Sequence, residues 1–177
     1  MNYFERYGLP VSLKVNRDLV KKKYYELSRE FHPDFHSLSA ADEQEETLQV
    51  AADVNKAYKT FNNPDETIRY VLRLKELLQE EEKYNLDPVF LSEVMDINEA
   101  LMELEMEPQN AGLEEAETNV RELLNKIYSD VADIIENYQE STGTEKELLR
   151  VKEYYFRKKY ILRILDKIGQ LRNIASL

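Results

Sequence analysis

Residues that break a helix are scarce in this chain and fall in a few clusters. These are Pro33, Asn62-Asn63-Pro64, Asn85-Leu86-Asp87-Pro88, Pro108 to Gly112, and Ser141-Thr142-Gly143. With only four glycines and five prolines in 177 residues, and no regularly spaced β-branched runs, long helices joined by short connections are expected.

Apolar residues recur with the helical period between these clusters. Over residues 15–31, Val20, Tyr24, Leu27 and Phe31 make one stripe of an amphipathic helix, with Asn16 as its N-cap. The other side carries Lys21, Lys22, Tyr25, Ser28 and Arg29, a basic face in an acidic protein. Pro33 ends this helix, because proline disfavours helical geometry at His32 and brings no amide donor. A second helix over about 41–61 is expected to turn Leu48, Ala51, Val54, Asn55 and Tyr58 toward the first. A third is predicted over about 65–82 from Ile68, Val71, Leu72 and Leu78. Beyond the acidic run Glu80-Glu81-Glu82, three more helices are predicted over about 87–105, 113–140 and 145–172, enough for a three-helix bundle with short connections. The expected class is all-α, with a helical hairpin and flanking helices over 1–80, a junction at 81–86 and a bundle over 87–177.

The formal charge of −11 argues against binding to nucleic acid or an anionic membrane, since both need a basic surface to displace counterions. The start, MNYFERYGLP, lacks a basic stretch followed by an apolar one, and no window approaches the roughly 18 apolar residues of a membrane span. A cytoplasmic protein is expected. The absence of cysteine removes disulfides, thiolate zinc sites and cysteine-held clusters from this chain.

Both histidines lie in FHPDFH, residues 31–36. His32 and His36 share a face only in a helical backbone, which Pro33 opposes, and a metal site would need carboxylates to complete it. A hydrolase built on His32, Asp34 and His36 would need convergent partners around a substrate, and neither a nucleophile cluster nor a glycine-rich phosphate loop is visible. No metal, cofactor or catalytic group is assigned. Pro33 instead fixes one φ angle, so His32 and Asp34 are presented with little ordering entropy left to lose on binding. Asp34 can accept a bidentate pair from an arginine, and Lys21, Lys22 and Arg29 can steer toward an acidic surface.

The tripeptide sits between KKKYYELSREF and NKAYKTFNNP, after an opening YFERYGLP. This resembles the J domain of the DnaJ class of co-chaperones over about residues 1–75. The resemblance implies that His32, Pro33 and Asp34 stimulate the ATPase of a DnaK- or HscA-type chaperone, and that Lys21, Lys22, Tyr25 and Arg29 bind it. ATP and the catalytic groups would belong to that partner, so the chain itself would not be an enzyme. Phe35, where the family often has lysine, and Glu26, within the basic face, are departures from the pattern.

In DPVFLSEVMDINEALMELEME, Phe90, Val94, Ile97, Leu101 and Leu104 form the stripe expected to seat the helix on its bundle. Leu91, Met95 and Met102 fall outside it, beside Glu99, with Asp96 and Glu103 further round. These residues can equally belong to a broad core stripe and a solvated face. From residue 86 to 120 the chain holds ten carboxylates and no Lys or Arg, which with flexible methionine suggests docking of a basic, partly apolar partner. FLSEVMDINEALMELE, followed by a long helix and YILRILDKI, resembles the C-terminal domain of the HscB/Jac type of J-protein, the co-chaperones of iron-sulfur cluster biogenesis. That resemblance implies binding of an IscU-type scaffold protein by Leu91, Met95, Asp96, Glu99, Glu103 and Ile164. Ile164 stands where the family commonly has an aromatic residue, and Ser92 where a larger apolar one can occur. The alternative is an acidic interaction module derived from a J domain, serving another protein client without stimulating an ATPase.

Overall fold

The computed structural model describes residues 1–176, and among them are eight α-helices, one 3-10 turn and no strand. In order these are α1 (Tyr3–Tyr7), α2 (Arg17–Glu30), the 3-10 turn (Pro33–Phe35), α3 (Ala41–Asn62), α4 (Pro64–Leu74), α5 (Pro88–Met106), α6 (Asn110–Ser129), α7 (Ala132–Asn137) and α8 (Glu145–Ala175). The chain separates into two compact units. One is Met1–Leu77 together with Ile135–Thr144, and the other is Leu78–Ile134 together with the chain from Glu145 on.

In the first unit, α2 and α3 form the expected hairpin and α1 and α4 pack on it. Asn2 opens α1 with a reciprocal capping box to Glu5, and Gly8 closes it in the left-handed region at φ 62°. The core is aromatic: Phe4 and Tyr7 both meet Phe61, and Tyr3 stacks on Tyr70 with ring centres 4.4 Å apart. The Tyr7 hydroxyl donates to the Val54 carbonyl at 2.7 Å, and burial holds its pKa well above the usual phenol range. Tyr24 of α2 stacks on Tyr58 of α3 at 4.0 Å and donates to the Asn55 side chain at 3.0 Å.

The stripe of α3 differs from the expected one. Thr47, Val50, Val54, Ala57 and Phe61 are buried, and Leu48 is exposed. Asn55 and Tyr58 do meet α2, at the edge of that stripe. Likewise α4 stops at Leu74 and does not continue to residue 82. Glu76 takes φ 59°, and the Leu77 amide donates to the Leu72 carbonyl at 2.9 Å, the closure of a Schellman motif. A stop built on glutamate carries no glycine signal.

The second unit packs α5, α6 and α8 against one another. Phe90, Val94, Ile97 and Leu101 are buried on α5, Leu113, Ala116, Val120, Leu123 and Ile127 on α6, and seven residues from Leu148 to Leu171 on α8. Asp87 caps α5 through the Val89 amide at 3.1 Å and pairs with Arg157 at 3.1 Å, whose guanidinium lies over the Phe90 ring. Tyr84 stacks on Phe156 at 4.5 Å and donates to Glu153; burial first, then Glu153, pushes its pKa up to about 12. The helix expected over 113–140 is divided. It begins at Asn110 and ends at Ser129, where the Asp130 carbonyl accepts from Arg150 at 2.7 Å.

Two expectations follow. Gly8→Ala should lower stability by about 1 kcal/mol, and Glu76→Gly should raise it by up to about 1 kcal/mol, because only glycine occupies the left-handed region freely. Denaturant midpoints check both signs. Hydrogen bonds from Arg172 and Arg121 hold the Glu117 carboxyl below its ordinary value of 4.5. A lowered folded pKa gives stability that is present above pH 4.5 and lost as pH falls through the folded value. Glu117→Gln should therefore flatten the acid side of the stability profile, read from urea midpoints on either side of that pH.

Candidate functional site

The loop after α2 is built from backbone groups that the two helix ends leave unpaired. His32 is extended at φ −70°, ψ 128°, as a residue before proline must be, and Pro33 opens the 3-10 turn. The Asp34 amide donates to His32 Nδ1 at 3.3 Å. The Asp34 carboxylate lies 3.7 Å from the same nitrogen, with 86% of its side chain exposed. His36 points the other way: its Nε2–H donates to the Glu30 carbonyl at 2.9 Å, on the last turn of α2. Gln44, in the first turn of α3, donates to the carbonyls of Ser37 at 3.1 Å and Ser39 at 2.8 Å. The loop is thus tied to both helices while His32 and Asp34 face outward.

His32, Asp34 and His36 accordingly do not converge on one point, and among the described residues no three His, Cys, Asp or Glu side chains form a metal-holding group. Lys21, Lys22, Tyr25 and Arg29 are exposed on α2, and the three cations have no carboxylate in pairing distance among the described residues. Glu26, which interrupts them, pairs with Lys23 at 3.6 Å. Sequence reasoning missed three features here: the anchoring roles of His36 and Gln44, and the full exposure of Leu38 beside the largely exposed Phe35. A polar side chain within a turn of two helix ends was the available signal for the anchors.

On α5, Leu91, Met95 and Met102 are 40%, 56% and 64% exposed, outside the buried stripe as expected. Asp96, Glu99 and Glu103 are exposed beside them. The carboxylates nearer the bundle are paired: Glu93 with Lys126 at 3.1 Å, and Glu105 with Lys167. Asp96, Glu99 and Glu103 have no cation in pairing distance among the described residues, so this face keeps its negative field. Asp96 and Glu103, with Glu107 and Glu115, also rim an open groove of about 430 Å³ between α5 and α6, floored by Ile97 and Leu104. Ile164 lies on α8 and is 6% exposed, in the core of the bundle, apart from the exposed residues of α5. Ser92 is exposed next to Leu91.

No helix among the described residues is long and apolar enough to cross a membrane. Residues 86–169 match the family model described as the HSCB C-terminal oligomerisation domain. The chain is 29% identical over 157 residues to the co-chaperone protein HscB homolog of Vibrio atlanticus, covering 88% of this chain and 90% of that protein. It is 31% identical over 137 residues to the homolog of Vibrio vulnificus, covering 77% and 78%. Among solved structures it shares the fold of chaperone HscB from Vibrio cholerae, with a TM-score of 0.71, 24% identity and 99% of each chain covered. The human co-chaperone HscB superposes with a TM-score of 0.74 at 27% identity, over 97% of this chain and 82% of that one. A histidine-proline-aspartate loop beside a basic helix, an acidic helix on a three-helix bundle, and this likeness across both units have one reading: the chain belongs to the HscB family of co-chaperones.

Proposed function

We propose that this co-chaperone is a two-ended adaptor in iron-sulfur cluster assembly. A J domain over residues 1–80 and a scaffold-binding bundle over 87–177 are joined at 81–86. His32, Pro33 and Asp34, with Lys21, Lys22, Tyr25 and Arg29, engage the ATPase domain of an HscA- or DnaK-type chaperone and stimulate its hydrolysis of ATP. Leu91, Met95, Asp96, Glu99 and Glu103 bind an IscU-type scaffold protein. The chain performs no catalysis, holds no cofactor and works in the cytoplasm.

The single observation that carries the reading is an electrostatic contrast within one chain. Unpaired cations flank the outward His32 and Asp34 on α2, and unpaired carboxylates flank exposed Leu91 and Met95 on α5. The first surface suits an acidic partner and the second a basic, apolar one, so the two partners do not compete for a site. Carrying both sites on one molecule raises the effective concentration of scaffold at the chaperone beyond what either contact gives alone.

Single-turnover ATP hydrolysis by the partner chaperone, with this protein and the scaffold added separately and together, tests the proposal. Stimulation should exceed that of either addition alone, and His32→Gln should return it to the level without co-chaperone. If the wild type gives no stimulation, the loop is only structural and the acidic module reading replaces this one. Leu91→Ala with Met95→Ala should weaken scaffold binding by about tenfold, the loss of roughly 1.4 kcal/mol of contact. Unchanged affinity in that double variant would remove the scaffold from this face.

A further inference from the structure

The chain has four methionines, and the three internal ones, Met95, Met102 and Met106, all stand exposed on α5. With Leu91 they make two pairs, Leu91/Met95 and Met102/Met106, with about two turns of helix between Met95 and Met102. At 100° per residue the four side chains fall within about 60° of one another and extend over about 22 Å. Apolar residues scattered singly on a surface need no explanation, but a file of four aligned on one face of a helix does. The file has no part in seating α5, which rests on Phe90, Val94, Ile97 and Leu101. Met106 is 90% exposed, and Glu99 lies between the pairs with Asp96 and Glu103 along one side.

We infer that the docking face of α5 runs the whole length of the helix, with Met102 and Met106 as a second apolar contact for the scaffold. The scaffold surface that fits it is apolar over about 22 Å, the span of the file, and carries Lys or Arg opposite Asp96, Glu99 and Glu103. This rests on the scaffold-docking reading of Leu91 and Met95. A second copy of this chain is a poor occupant, because a two-fold contact on α5 would bring the same unpaired carboxylates against one another. Methionine suits the task, since its unbranched thioether adapts to an irregular apolar surface.

The test is calorimetric titration of the IscU-type scaffold into full-length wild type, Leu91→Ala/Met95→Ala and Met102→Gln/Met106→Gln. Glutamine keeps the length and helix propensity of methionine at exposed positions, and thermal unfolding verifies the fold of each variant. The glutamine variant should bind about tenfold more weakly, and affinity for the wild type should fall as KCl is raised. If only Leu91→Ala/Met95→Ala weakens binding, the docking face ends before Met102 and the extension is overturned alone. If neither variant changes affinity, both readings of α5 fall. A wild-type dimer that the glutamine variant abolishes, with scaffold affinity unchanged, would make the file a self-association surface and overturn the inference.

Discussion

Every helix end leaves backbone amides or carbonyls without partners, and in this chain the answer to where those groups go decides where His32 and Asp34 point. Asn2, Asn16, Asn63 and Asp87 each turn a side-chain oxygen onto the first amides of a helix. The same requirement shapes the loop. Its His32 ring takes the Asp34 amide, its His36 ring satisfies the end of α2, and Gln44 reaches back to hold two loop carbonyls. A loop with its backbone groups already satisfied can hold an exposed aspartate and imidazole in one arrangement without a buried core beneath them.

Charge follows a similar division of labour. Glu93, Glu105 and Glu117 are each matched by a cation on another helix of their bundle, and Asp87 is matched by Arg157 while it caps α5. Exposed pairs of this kind add little stability individually. They leave Lys21, Lys22 and Arg29 on the outer side of α2, and Asp96, Glu99 and Glu103 on one side of α5, without an opposite charge in pairing distance among the described residues. An acidic protein thus keeps exposed, unpaired cations on the outer side of α2 against a net charge of −11.

Much of this was legible from residues. The limits of α2 follow from Asn16 and Pro33, the start of α5 from Asp87-Pro88, and the exposure of Leu91 and Met95 from a projection at the helical period. The failures share a physical cause. A helix that ends on Glu76 in the left-handed region, and another that ends where Arg150 takes the Asp130 carbonyl, stop through tertiary or backbone geometry that no glycine or proline announces. Leu48 was expected inside because it is apolar, yet Thr47 and Val50 hold the inward positions, and one residue of phase is 100° of helix. Ile164 was assigned by resemblance to a contact position, and its 6% exposure in the bundle core is a feature that the resemblance did not announce.

The placement of methionine has a practical consequence. The chain has no cysteine, and Met1, Met95, Met102 and Met106 are all exposed, so neither core contains sulfur. Dilute peroxide converts exposed thioethers to sulfoxides, a gain of one oxygen atom that mass spectrometry counts residue by residue. Apart from Met1, every such mark falls on a single side of α5. The protein therefore carries its own footprinting reagent sites on the surface whose occupancy is in question, and protection of those sulfurs can be followed without attaching a label.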